Sequence, residues 1–191
     1  MEELEARARR ARRRTVVIVL GGLVAGAVLG WGLPHTEASI RGLQAVGWAL
    51  AVAGLGGTFS LVVTTTGLAS HLRVPLQSLR PRDSRFLRRS VDSVQLIAPA
   101  DSEMAQRAFD YARITLVYQP LALAQFLLLY AGLLGPQLAD LFDHDGFDLT
   151  FSRVFCSTIV IVAVIFAVVW TRKIRGARGY VRAIERQRTT V

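Results

Sequence analysis

The chain has 191 residues, of which 52% are hydrophobic, with a mean hydropathy of +0.38 and a formal net charge of +9. These values exclude a soluble multidomain enzyme and suit a single helical membrane domain that takes in residues 1–191. The net charge does not indicate nucleic-acid binding, because the basic residues are divided among segments that flank long apolar runs.

Four runs of sequence lack Asp, Glu, Lys, Arg and His: residues 15–33, 43–70, 114–134 and 154–170. Each run is close to the roughly 20 residues that an α-helix needs to cross a bilayer. The pattern therefore predicts an all-α integral membrane protein with four transmembrane helices in an antiparallel bundle.

The basic residues predict the orientation of that bundle. Of the 23 Lys and Arg residues, all but Arg41 and Arg153 lie before the first run, between the second and third, or after the fourth. Short basic segments stay in the cytoplasm, so both termini and the loop 71–113 are expected inside, and the loops 34–42 and 135–153 outside. The strong preference for Arg over Lys is typical of a GC-rich bacterial genome, so we expect a bacterial cytoplasmic membrane.

The first run carries a glycine repeat that predicts close helix packing. Gly22, Gly26 and Gly30 share one helix face, where the lack of side chains lets another backbone approach. The second run has small residues at the same spacing, among them Ala53 and Gly57. We expect these faces to pack in an antiparallel hairpin; contact of the glycine face with another subunit is the alternative.

The central loop is expected to contain an amphipathic helix capped by Asp83. Its apolar positions recur at helical spacing: Leu87, Val91, Val94 and Ala98. We expect this apolar side to lie along the inner leaflet.

Helical extensions into the cytoplasm are expected at three places. Residues 2–14 continue the first span, and the fourth span continues beyond Trp170 with apolar residues at helical spacing. The third helix is expected to begin at Asp101 or Ser102, about three turns before the apolar run. Pro120 is expected to kink that helix.

A group of polar side chains in the second and third spans forms a candidate cavity lining: Thr64, Thr65, Thr66, Tyr118, Gln119 and Gln125. A cavity lined by these groups would open to the cytoplasm. Hydrogen bonding between helices is the simpler interpretation of the same residues. The absence of ionisable residues in the spans disfavours ion-coupled transport.

No catalytic group, metal or cofactor is expected. The three histidines lie in three separate loops, and the single cysteine, Cys156, lies within the fourth run. The weak candidates for a metal site come from the two external loops: His35, Asp143, His144 and Asp145.

Basic residues beside the spans are candidate contacts for lipid or for a partner: Arg85, Arg88, Arg89, Arg172, Lys173 and Arg175. They first of all determine topology, and they also suit anionic headgroups or a docked protein. We therefore expect a non-enzymatic accessory or assembly component that binds a membrane-protein partner or a second copy through this face. An oligomeric permease or channel for a small solute, lined by polar groups of the second and third spans, is the alternative.

Overall fold

The computed structural model describes residues 2–33, 38–77, 79–99, 101–141 and 146–189, and within these ranges it is all-helical, with no strand. The five helices are α1 (Glu2–Gly32), α2 (Ala38–Arg73), α3 (Pro81–Asp92), α4 (Glu103–Asp140) and α5 (Gly146–Thr189). A 3-10 turn, Val74–Leu76, follows α2 and contains Pro75. A residue that precedes proline is disfavoured in α-helical conformation, so α2 ends at Arg73.

Four of the helices are long and apolar enough to cross a membrane, which confirms the number of spans predicted from the sequence. The candidate spans are Ala6–Gly32, Arg41–Thr66, Glu103–Leu138 and Thr150–Gln187. They belong to α1, α2, α4 and α5, so only α3 is too short to span.

The helices extend further at the expected external side than hydropathy predicts. The region 135–153 was expected to be a loop, but α4 continues to Asp140 and α5 begins at Gly146. Similarly, α2 begins at Ala38, inside the expected loop 34–42. Hydropathy marks the part of a helix that lies in lipid, and the helix itself ends only where its backbone hydrogen bonds end. At Pro120 the structure has one uninterrupted helix on both sides of the proline.

The chain divides into two compact units, and each is described by itself. One, the span unit, consists of Arg9–Thr64 and Leu123–Ala167. The other, the α3 unit, consists of Met1–Ala8, Thr65–Ala122 and Val168–Val191.

Backbone contact between α1 and α2 is the closest packing in the first half of the span unit. A Cβ added to a glycine of α1 would lie within 2.8 Å of an alanine Cα of α2 at three successive pairs: Gly22 with Ala53, Gly26 with Ala49 and Gly30 with Ala45. The numbers rise along α1 and fall along α2, so the two helices run in opposite directions. The glycine repeat thus packs within the chain, as its intramolecular interpretation expects.

Glycines also bring α2 against α4 within the span unit. Gly47 contacts Gly135, and Gly54 contacts Gly132, in each case through backbone atoms. Because α2 contacts both α1 and α4, it is the most enclosed of the four candidate spans. In its most apolar stretch of 18 residues, 44% of the residues are buried, against 6% in the corresponding stretch of α5.

The α3 unit has its own core, which α3, α4 and α5 build together. Six side chains in it are fully buried: Leu87, Val91, Ala108, Ala112, Ala177 and Tyr180. Since Leu87 and Val91 pack on protein, the expectation that this side of α3 faces the inner leaflet is wrong. The small residues Ala108 and Ala112 leave room on α4 for the larger side chains of α3.

Both ends of α3 differ from the sequence prediction. The helix begins at Pro81, whose fixed φ suits the first helical position, and no side chain caps it, so Asp83 lies within the first turn. The helix ends at Asp92. Just after it, the Val94 amide donates to the Val91 carbonyl oxygen and the Gln95 amide donates to the Ser90 carbonyl oxygen, which is the pattern of a Schellman motif. Val94 therefore follows the helix instead of continuing its apolar side.

The beginning of α4 agrees with the prediction. The Ala105 amide donates to Ser102 Oγ over 3.2 Å, so Ser102 is the N-cap of a helix that begins at Glu103. Eleven residues separate this start from Ile114, which is about three turns of helix.

Candidate functional site

The α3 unit presents an extended basic surface. All six basic residues proposed as lipid or partner contacts have exposed side chains: Arg85, Arg88, Arg89, Arg172, Lys173 and Arg175. They come from α3 and α5, whose apolar sides are occupied by the shared core. The fold therefore turns the charged side of each helix outward.

On α5 the exposed basic residues continue far beyond the apolar run. Arg175, Arg178, Arg182 and Arg186 are all exposed, and their spacing of three or four residues places them along one side of the helix. We call these four residues the α5 basic stripe. Ala177 and Tyr180, which are fully buried, fix the opposite side of α5 against the core.

On α3 a second set of exposed residues lies directly opposite the core. Arg82, Arg85, Phe86 and Arg89 have the spacing i, i+3, i+4 and i+7, which is one stripe of a helix. We call these four residues the α3 stripe. Successive residues of a helix are about 100° apart, so this stripe is on the side away from Leu87 and Val91.

Two glycines of α5 hold the end of α3 in place. A Cβ at Gly176 would be 2.6 Å from the Asp92 carbonyl oxygen, and one at Gly179 would be 2.9 Å from Val94 Cγ2. Both distances are shorter than a real Cβ contact. No local sequence signal identifies this packing role, because it depends on which helix becomes the neighbour of α5.

Charges meet at this junction. Partial burial raises the pKa of the Asp92 carboxyl, and Lys173 and Arg88 lower it in part. Lys173 thus lies on the side of α5 that is near α3, whereas the α5 basic stripe lies on the side of α5 opposite the core.

Arg107 ties the start of α4 to the segment that follows α2. Its guanidinium donates to Glu103 Oε1 and, over 3.0 Å, to the Gln77 carbonyl oxygen. Together with the cap at Ser102, these bonds fix the segment before α3, at Gln77, and the segment after it, at the start of α4.

The six residues of the candidate cavity lining fall into both units. Thr64 and Gln125 belong to the span unit, and Thr65, Thr66, Tyr118 and Gln119 belong to the α3 unit. The Thr64 hydroxyl donates within its own helix, to the carbonyl oxygens of Ser60 and Leu61.

Elsewhere in the span unit the polar groups bond between helices. Thr58 Oγ1 donates to the Gln125 carbonyl oxygen over 3.3 Å, and the hydroxyls of Thr15 and Ser60 are 3.2 Å apart. Such bonds are the expected use of hydroxyls in a membrane bundle. In the α3 unit, the Gln119 Oε1 atom is buried and has no hydrogen-bond partner among the residues that the structure describes.

The weak metal candidates His35, Asp143, His144 and Asp145 lie outside the described residues. Within the described ranges, no group of three or more His, Cys, Asp or Glu side chains could hold a metal ion.

Comparisons with known proteins give no relative from which a role could be transferred. No family model matches the chain, and neither the curated proteins nor the solved structures contain a match. Any functional interpretation therefore depends on the residues and contacts described above.

Proposed function

We propose that the chain is a non-enzymatic accessory or assembly component of a bacterial cytoplasmic membrane, with both termini in the cytoplasm. Its four spans, in an antiparallel bundle, anchor the α3 unit, and the α5 basic stripe docks an acidic surface of a larger membrane-protein partner. This orientation follows from the distribution of arginines along the sequence.

The observation that carries the proposal is the continuity of α5. The helix runs without interruption from its apolar span to Thr189, which carries it about 28 Å beyond Trp170. Within this extension Ala177, Tyr180, Val181 and Ile184 pack in the core that α5 shares with α3 and α4, so the extension is part of a folded unit. A folded helix loses little backbone entropy when it binds, which favours a defined partner.

Arginine suits this role because its planar guanidinium can hold a carboxylate through two parallel hydrogen bonds. The exposed Glu185 lies among the four arginines and limits the surface to partners with a matching charge pattern.

Copurification after extraction in a mild detergent tests the proposal. The parent chain is expected to retain a stoichiometric partner, and replacing all four arginines of the α5 basic stripe by Gln is expected to release it. The control replaces the three arginines of the α3 stripe, which should leave the partner bound. A monodisperse parent protein with no partner contradicts the proposal, as does a partner that stays with the α5 variant.

A second candidate function, an oligomeric permease or channel for a small uncharged solute, is favoured by one observation. The buried Gln119 Oε1 atom lacks a hydrogen bond, and an unsatisfied buried oxygen can accept one from a passing solute or water. Flux of a solute panel into liposomes tests this function, with Gln119→Leu as the variant expected to reduce transport. An absence of flux for every solute removes it.

A further inference from the structure

The α3 stripe combines three arginines with one exposed aromatic ring. Phe86 leaves 53% of its surface exposed, and it lies one turn from both Arg82 and Arg89. The core of the α3 unit is complete without it, because Leu87 and Val91 on the other side of α3 are fully buried. The fold thus keeps a large apolar ring outside and surrounds it with positive charge.

The helix that carries this stripe is fixed close to an apolar span. Leu87 and Val91 share a core with Ala112 of α4, and the uncharged run of α4 begins two residues later, at Ile114. Two residues correspond to about 3 Å along α4, so the core that holds α3 ends where the uncharged run of α4 begins.

Two close contacts with α5 hold α3 in this position. Gly176 contacts the Asp92 backbone, and Gly179 contacts the side chain of Val94, directly after the last turn of α3. The position of the α3 stripe relative to α4 and α5 is therefore set by close packing.

We propose that the α3 stripe is a docking surface for anionic phospholipid, in which the three arginines bind headgroup phosphates and Phe86 inserts between headgroups. The charge is complementary, since guanidinium groups bind phosphate with paired hydrogen bonds. The transfer of an aromatic ring from water is favourable at the level of the headgroups, where the ring leaves water without entering the hydrocarbon core. Because the spans of the same chain tether α3 to the bilayer, the effective concentration of lipid exceeds that of any free acidic protein.

This surface is the reverse of the one predicted from sequence. The sequence pattern predicted that the side with Leu87 and Val91 faces lipid, whereas the structure uses that side for its core. The proposal does not depend on the α5 basic stripe or on its partner, because the two stripes are on different helices.

An environment-sensitive fluorophore on α3 tests the proposal. The label is attached to Phe86→Cys in the full chain, with Cys156→Ala to remove the only native thiol. The protein is then placed in nanodiscs of phosphatidylcholine and in nanodiscs of an equimolar mixture of phosphatidylcholine and phosphatidylglycerol. In the anionic discs we expect blue-shifted emission and quenching by lipids spin-labelled near the headgroup; in the neutral discs the label should remain in water.

Charge variants in the same labelled background give the quantitative test. Each arginine near an anionic surface favours the attached state by about fivefold, so replacing Arg82, Arg85 and Arg89 by Gln lowers attachment by roughly a hundredfold. The matched control replaces Arg178, Arg182 and Arg186 of α5 by Gln, which changes the net charge equally and should leave the label attached.

Added salt provides a measurement that needs no further substitution. Screening should detach the label of the otherwise unaltered chain from anionic discs. A label that reports the same environment in both kinds of disc overturns the proposal, and so does a control variant of α5 that detaches it as strongly as the α3 variant.

Discussion

Gly176 of α5 lies directly against the backbone of Asp92 at the end of α3. A Cβ at Gly176 would be 2.6 Å from the Asp92 carbonyl oxygen and 3.0 Å from its Cα. Backbone atoms cannot move aside as the tip of a long side chain can, so only glycine permits this approach. The contact explains why α5 carries a residue that lowers the intrinsic stability of its helix.

Replacing Gly176 by Ala is therefore expected to destabilise the α3 unit. Alanine stabilises a helix by about 1 kcal/mol relative to glycine, but overpacking against backbone costs about 1–3 kcal/mol. We expect a net loss of about 1 kcal/mol, seen as a lower melting temperature in detergent and faster proteolysis within residues 93–102. Gly21→Ala is the control, because no atom lies within 4 Å of the added Cβ. If Gly176→Ala melts at or above the parent temperature, the packing argument fails.

A disulfide cross-link can test the register of α1 and α2. The hydroxyls of Thr15 and Ser60 are 3.2 Å apart, so cysteines at these two positions, in a Cys156→Ala background, should oxidise within one chain. Adding Gly26→Ala should slow the reaction, because the new Cβ meets the Ala49 backbone at 2.6 Å. Electrophoresis without reducing agent would show a cross-linked monomer. A cross-linked dimer would instead assign the glycine face to contact between subunits.

The Asp92 carboxyl gives a prediction about pH. Burial raises its pKa above 3.8 despite Lys173 and Arg88, with the hydroxyl of Tyr111 also nearby. The folded state thus binds a proton on Asp92 more tightly than the unfolded chain does. The contribution of Asp92 to the free energy of unfolding is therefore complete below pH 3.8 and is lost as the pH rises through the folded-state pKa. At neutral pH we expect Asp92→Asn to melt no lower than the parent, and any gain to shrink on acidification.

The control for this measurement is Asp101→Asn, which changes an exposed carboxylate outside the helices. At neutral pH its melting temperature should stay close to that of the parent. An Asp92→Asn variant that is less stable than the parent at neutral pH would show that attraction by Lys173 and Arg88 outweighs burial.

The parts of the fold that sequence predicted are those with a local signal. Runs without charge identify the four candidate spans, and the pair Asp101 and Ser102 identifies the start of α4 to within one residue. The four-residue glycine spacing identifies the packed side of α1. Each of these signals lies within one helix, so no knowledge of neighbouring helices is needed to interpret it.

The parts that sequence missed depend on which helices become neighbours. Gly47 and Gly135 are ordinary small residues until α2 and α4 meet, and Gly176 acquires its role only when α3 docks on α5. The end of α3 was also missed, because Val94 has a backbone φ of 59°, in the left-handed region where glycine is usual and a β-branched residue is rare. Its contact with Gly179 helps to hold a conformation that the sequence alone disfavours.

The sequence identified which residues belong to the candidate site, but it did not predict which side of α3 they share or what covers the other side. The basic residues of α3 and α5 were identified from their charge, and all six are exposed; their contact with lipid or a partner stays a prediction. However, the apolar pattern of α3 could not reveal whether lipid or protein covers it, since both remove apolar surface from water. Only the packing of Leu87 and Val91 on α4 and α5 decides the question.

Cysteine accessibility in intact bacterial cells tests the central claim, that four spans hold the arginine-rich α3 unit on the cytoplasmic side. Single cysteines at the exposed positions Gln95, Thr150 and Thr189, in a Cys156→Ala background, would be treated with a thiol reagent that cannot cross the membrane. We predict labelling at position 150 alone, and labelling at 95 and 189 only after the cells are opened. Labelling at 95 or 189 in intact cells, with position 150 protected, would contradict the account.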